Sequence, residues 1–336
     1  MIKFISNVRL WFSLACMGGL YSGLATADIS QNAGLKQFIQ EMHSKHGYSK
    51  ADLERLFAQV TIQDSILKAM DKPYEAKPWY EYRKLFLTEK RIAGGRLFLQ
   101  QNQAAFKTAY QKYGVPAVVI AAIIGIETSY GDNPGKYKVI DALSTLAFAY
   151  PKRAGFFRQE LEAFLMLCRE EKLAPEQPIG SYAGAMGLPQ FMPSSFRAYA
   201  VDGNDDGRRD IWHDPADAIA SVAHYLARNG WMADETVAVP AQINKKPPFS
   251  SGKVLKAEYS ISQLAQLGVK PVPEVAGSLR GNLVALEGSA EMTYWLGFQN
   301  FYAITRYNHS ALYAMAAHQL SQELQLPNGP SGVASP

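Results

Sequence analysis

The stretch that most constrains this chain is VPAVVIAAIIGIETSYGDNPG, residues 115–135. Pro116 stands where a first helical turn accepts it, because its missing N–H would have no intrahelical partner there. Residues 117–126 are apolar throughout, and the run then meets one carboxylate, Glu127, before breaking into a Ser-Tyr-Gly-Asp-Asn-Pro-Gly turn. A carboxylate at the end of such a helix is desolvated on one side. Desolvation disfavours the charged form and lets the acid hold its proton near neutral pH. That is the state in which a carboxyl group donates to a leaving oxygen. A glutamate at a helix end is more commonly solvated or hydrogen-bonded to the following turn, so further residues have to decide the matter.

The segment GSYAGAMGLPQFMPSSFRAYAVD, residues 180–202, supplies some of them. Its small residues allow close backbone approach, and Ser181, Gln190, Ser194 and Ser195 offer neutral hydrogen bonds. Neutral polar groups beside aromatic faces suit a carbohydrate, which presents hydroxyls, amides and apolar C–H surfaces. A Gly/Ala-rich packing seam followed by a Pro-Ser-Ser helix start explains parts of the same segment.

The 336 residues have room for two or three structural units, and 48% hydrophobic with 19% charged residues is ordinary for a globular protein. The N-terminus differs from the rest. Lys3 and Arg9 precede the apolar run LWFSLACMGGLYSGLA, and ATA before Asp28 is a small-x-small cleavage site, so residues 1–27 read as a secretory signal. The alternative makes Cys16 a lipid acceptor, but Ser13 stands where the lipobox leucine belongs. Removing the leader takes two cations from a formal net charge of +4, too mild a balance for a nucleic-acid partner. Only Cys168 then remains, so no intrachain disulfide forms, and its helical spacing predicts a buried thiol. No later stretch reaches the roughly 18 apolar residues of a spanning helix.

The pattern predicts a mainly α, α+β chain. Leu35, Phe38, Ile39 and Met42 fall on one helical face, and Ser49 is placed to cap the next helix. Residues 28–80 form a helical domain, joined by a C-terminal helix 310–326 capped by Ser310. Residues 81–234 form a largely helical core. Residues 235–300 carry short β-type runs separated by turn residues, a small β-containing domain. Residues 301–326 return to helix, and 327–336 are expected to be disordered.

Three segments taken together, GIETSYG, GSYAGAMGLPQFMPSSFRAYAVD and YAITRYNHSALYAMA, resemble the signature segments of the membrane-bound lytic murein transglycosylase B family, in order and spacing over residues 35–325. The resemblance implies a lysozyme-like core flanked by a helical domain and a small β domain. It implies cleavage of the β-1,4 bond between N-acetylmuramic acid and N-acetylglucosamine in peptidoglycan, leaving a 1,6-anhydromuramoyl end. Glu127 matches the single catalytic acid and base, with no cofactor for the chemistry. Tyr82, Ser181, Gln190, Tyr225, Tyr307, Asn308 and Tyr313 match residues that line the saccharide cleft. Each tyrosine also reads as core packing, since the chain has 18 of them. The implied partners are peptidoglycan glycan strands and other cell-wall enzymes, and the implied compartment is the periplasm of a Gram-negative bacterium.

DGNDDGRRDIWHDPAD reads as an EF-hand-like loop, with Asp202, Asn204 and Asp206 at positions 1, 3 and 5 and Gly207 at position 6. Arg208 would give its carbonyl at position 7 and Asp210 a further oxygen, while His213 replaces the usual glutamate at position 12. The family's loop closes with a later aspartate, which Asp217 matches, although the loop here is one residue longer. Calcium in a structural role is the expectation. The plainer reading is an Asx-rich turn followed by a helix that Asp214 and Asp217 cap.

Two other functions remain open at this level. A hydrolytic muramidase would need a second carboxylate, for which sequence offers Asp132 after the turn or a distant residue such as Glu287. A non-catalytic murein-binding protein would not need Glu127.

Overall fold

A computed structural model describes residue 29 and residues 31–71, 77–244 and 256–325. The expected signal segment with Cys16 and the expected disordered tail lie outside the described residues, as does part of the β-containing segment. The described residues divide into two compact units, one made of residues 77–130, 219–244 and 256–325, the other of residues 29, 31–71 and 131–218.

In the unit containing residues 77–130, the apolar run forms helix Ala117–Thr128, and every residue from Val119 to Thr128 is buried. A helix with no polar face needs cover on all sides. Helices Glu89–Gln101, Gln103–Tyr113 and Ala311–Gln325 provide it. Ser310 starts the last of these, its Oγ accepting the N–H of Tyr313 at 3.4 Å. A five-stranded antiparallel sheet belongs to the same unit, in the order Tyr259–Ser260, Arg280–Glu287, Met292–Gly297, Ala238–Ile243, Val269–Pro271. Leu283 pairs with Leu296 across the central ladder, and Val239 pairs with Leu296 from the other side. Those three close on Ile261, Leu264, Val269 and Phe298 to form the small core of the sheet.

The other unit is helical around a two-stranded ribbon of Tyr137–Lys138 with Ile179–Gly180. Its amphipathic helices Ala33–His46 and Lys50–Phe57 start on Asn32 and Ser49, whose side chains accept the N–H groups of Leu35 and Asp52. Phe38, Phe57 and Phe148 meet edge to face, with centroids 5.9 to 6.5 Å apart. Helices Val139–Ala149 and Ala154–Glu170 pack on one another. Cys168 is buried among them, and burial pushes its thiol up to about 12.

The compact units do not follow the expected domain limits. Helix Ala311–Gln325 packs on Ala117–Thr128 and on Trp79–Phe86, so it joins their unit and not that of residues 31–71. Residues 81–234, expected as one core, are shared between the units, with cuts after Tyr130 and Ala218. Side-chain burial decides this: the apolar helix must be covered by whatever packs on it, wherever that lies in the sequence.

Candidate active site

Glu127 occupies the last turn of its helix and is 6% exposed. The phenol of Tyr313 donates to its Oε1 at 2.6 Å, while Oε2 is buried with no hydrogen-bond partner among the described residues. Burial pushes the carboxyl up to about 8, against a smaller downward pull from the Tyr313 bond. The C-terminal end of a helix carries partial negative charge and further disfavours a carboxylate there. Among the described residues, no second carboxylate acts on Glu127. Glu287 ends strand Arg280–Glu287 and is exposed, and Asp132 is exposed in the other unit.

Tyrosines surround this carboxyl. Tyr307 stacks parallel to Tyr313, with centroids 6.5 Å apart and planes at 6°. Tyr225 meets Tyr307 edge to face at 4.8 Å, and its hydroxyl donates to the carbonyl of Arg306. Burial, and then the charge of Glu127, hold the Tyr307 and Tyr313 phenols well above their ordinary range, so both keep their protons. Tyr82, on helix Trp79–Phe86, is close enough for its charge to act on Tyr313. Asn308 caps the helix that ends at Tyr307 and is 8% exposed. Tyr313 and Tyr307 thus stand next to Glu127, Tyr225 packs on Tyr307, Tyr82 lies near Tyr313, and Asn308 follows Tyr307 in the chain.

Ser181 and Gln190 lie in the other unit. The Ser181 hydroxyl accepts the N–H groups of Ala183 and Ala185. Gln190 has φ 49°, and its amide donates to the carbonyls of Pro134 and Gly187 at 3.1 and 2.9 Å. A Cβ on Gly187 would stand 2.5 Å from the Ile211 carbonyl, so the small residues of this segment are required for packing. The packing seam and the polar groups coexist.

Sequence reasoning passed over several residues that hold the end of the Glu127 helix. Ser129 and Tyr130 both have positive φ, 51° and 63°. The Tyr130 ring fills a slot against Gly94, Gly95 and Gly125, where a Cβ on Gly125 would meet it at 2.5 Å. Arg91 is buried at 7% and donates to the carbonyls of Gly125 and Leu85 and to the Ser129 hydroxyl. The adjacent glycines 94 and 95 inside a helix were the available signal for a close approach. In the second unit, buried Glu160 accepts both the N–H and the hydroxyl of Ser194, fixing the start of helix Pro193–Tyr199.

The Asx-rich loop gathers the oxygens of a candidate hard-cation site. Asp202 accepts the N–H groups of Asp206 and Gly207, Asn204 also takes that of Asp206, and Asp206 takes that of Arg208. Gly207 has φ 88°, as the turn requires. Asp217 is fully buried, its two oxygens accepting the N–H groups of Gly203 and Asp210 at 2.7 and 2.6 Å, which ties the two ends of the loop together. Asp210 turns to Trp212 and His213. Among the described residues no three His, Cys, Asp or Glu side chains converge into a ready-made cage. The donor set is nevertheless all oxygen on a glycine-enabled turn, the chemistry that suits calcium.

A mainly α fold around one buried acid and a tyrosine cluster defines a class, and the chain belongs to the transglycosylase SLT domain family, which it matches over residues 30–322. It is 43% identical over 309 residues to membrane-bound lytic murein transglycosylase B of Escherichia coli strain K12, spanning 89% of this chain and 84% of that protein. The soluble lytic transglycosylase SltB1 from Pseudomonas aeruginosa shares its fold at a TM-score of 0.82 and 45% identity, over 86% of this chain and 97% of that one. The Escherichia coli lytic transglycosylase Slt35, solved in complex with calcium and separately with bulgecin A, matches at a TM-score of 0.83 and 43% identity, over 89% and 95% of the two chains. The α+β class with a predominance of helix is thereby established.

Proposed function

We propose that this chain is a periplasmic lytic transglycosylase that cleaves the β-1,4 bond between N-acetylmuramic acid and N-acetylglucosamine in peptidoglycan, with Glu127 as acid and then as base. The observation that carries this reading is the Glu127 carboxyl itself, buried, held protonated near neutral pH, and bonded through Oε1 to a tyrosine that keeps its own proton. The identity to murein transglycosylase B supports the substrate class.

With Tyr313 donating to Oε1, the acid proton resides on Oε2. Glu127 gives that proton to the glycosidic oxygen as the C1–O bond breaks, and the N-acetylglucosamine leaves with a 4-hydroxyl. The substrate's own N-acetyl carbonyl stabilises the oxocarbenium-like centre at C1. The C6 hydroxyl of the muramoyl residue then attacks C1, and its proton returns to the Glu127 carboxylate. Water is neither consumed nor released, which is why one carboxyl group suffices where hydrolytic glycosidases use two. Tyr82, Tyr225, Tyr307, Asn308 and Tyr313 bind the saccharide; for Ser181 and Gln190, in the other unit, that role is carried by the family resemblance alone. Asp202, Asn204, Asp206, the Arg208 carbonyl and Asp217, with Asp210, would hold a structural calcium that supports the loop and takes no part in proton transfer.

Digestion of purified sacculi, followed by mass spectrometry of the fragments, tests the reading. Anhydromuramoyl ends that resist borohydride are expected, and their loss in Glu127→Gln. Borohydride-reducible muramoyl ends would make the chain a hydrolase, and full turnover by Glu127→Gln would remove the assignment of the acid.

A further inference from the structure

We propose that Arg91 is a positioning residue for this reaction, tying the Gly125 carbonyl before Glu127 and the Ser129 hydroxyl after it to the last turn of the helix that carries Tyr82. The inference rests on Glu127 being the acid. Arg91 enters helix Glu89–Gln101 in its first turn, where its own N–H is taken by the Thr88 cap. Its side chain points inward and spends its donors on three oxygens. Nε reaches the Gly125 carbonyl at 2.9 Å, one terminal nitrogen the Ser129 hydroxyl at 3.1 Å, and the other the Leu85 carbonyl at 2.5 Å.

A buried guanidinium is costly unless its donors are satisfied. Among the described residues none of its hydrogen-bond partners is a carboxylate. The charge is instead offset by two helix C-terminal turns, whose dipoles favour a cation; the Gly125 carbonyl takes the guanidinium beside the N–H of Ser129. Gly125 precedes Glu127 by two residues and Ser129 follows it by two, so the fork holds a carbonyl on one side of the acid and a hydroxyl on the other. Leu85 belongs to helix Trp79–Phe86, the source of Tyr82.

The grip has strain to hold. Two consecutive residues without glycine's freedom, Ser129 and Tyr130, adopt the left-handed conformation directly after the acid's helix. Such strain persists only where the surroundings over-determine it. Arg91 on Ser129 and the glycine slot around Tyr130 do so here. A simple helix cap would not need to reach a second helix or to stabilise a strained turn. A fork that fixes the chain on each side of one side chain sets the direction in which that side chain points, and misplacement of about 1 Å at a reacting group costs roughly 100-fold in rate.

Steady-state kinetics on a soluble peptidoglycan fragment, with melting temperature measured in parallel, test the proposal on Ser129→Gly, Arg91→Lys and Arg91→Met. Ser129→Gly removes one acceptor and relaxes the strained φ. It is expected to lower kcat by about threefold or more with KM little changed while the melting temperature holds or rises, a combination that loss of a merely structural contact would not give. Arg91→Lys, whose ammonium cannot meet all three oxygens, is expected to fall between wild type and Arg91→Met, which should lose roughly 10- to 100-fold in kcat. If Arg91→Met does not fold, the other two variants decide. Retention of kcat within about twofold in both Ser129→Gly and Arg91→Lys, with Glu127→Gln inactive, overturns the role of Arg91 and leaves the acid in place. Activity in Glu127→Gln overturns the reading on which it rests.

Discussion

The Tyr313 phenol and the Glu127 carboxyl share a 2.6 Å hydrogen bond across two helices that are 186 residues apart in sequence. The tyrosine is buried and holds its proton, so it donates whichever state the carboxyl is in. Replacing it with phenylalanine keeps the ring that stacks on Tyr307 and deletes the donor. Because the bond lowers the Glu127 pKa, Tyr313→Phe should move the alkaline limb of the pH–rate profile to higher pH. It should also cost about tenfold in kcat, since the acid proton is no longer confined to one oxygen. An unmoved limb with full kcat would contradict this arrangement.

Activity itself should decline as pH rises through about 8, because the first step needs the protonated acid. Stability carries the same signature. An unfolded glutamate loses its proton near 4.5, while the folded carboxyl keeps it until about 8, so the unfolded state binds fewer protons across that window. Stability contributed by this site therefore falls as pH rises from about 4.5 to about 8, by a few kcal/mol in all. Melting curves over that range should show wild type losing ground to Glu127→Gln, and parallel curves would count against the raised pKa.

Gly125 faces the ring of Tyr130 so closely that a methyl group would overlap it. Gly125→Ala is expected to destabilise by about 1–3 kcal/mol and to reduce kcat, as overpacking next to the acid displaces the turn. Tyr130→Phe removes a buried hydroxyl that has no hydrogen-bond partner among the described residues, and should leave the melting temperature unchanged or raise it. Chemical denaturation of both variants checks the pair.

Calcium should raise the melting temperature of the purified chain, and a chelator should lower it, by linkage to the folded state. Asp202→Ala should abolish that response. Turnover at a temperature well below melting should be little affected in either case, because the ion is assigned to the loop. Calorimetric titration with no heat and no thermal shift would remove the metal from the account.

Much of this was readable from residue order. The apolar run had to become an enclosed helix, whereas Glu127 stood out as the candidate acid only once three segments together resembled a known family. Ser49 and Ser310 sit at helix starts because a hydroxyl there has an obvious N–H to accept. The small sheet followed from a change in composition after residue 234. Arg91 was not readable, since EKRIAGG places three charges in a row and nothing local marks which one turns inward. Glu160 was equally silent, because its partner Ser194 lies 34 residues away and is chosen by packing. The division into units escaped for the same reason, as helices that cover one another need not be neighbours in the chain.

With Tyr313 donating to Oε1, the proposed mechanism routes both proton transfers through Oε2. The oxygen that releases the 4-hydroxyl would then be the one the 6-hydroxyl must reach, so a severed strand that stays put would favour resealing over release.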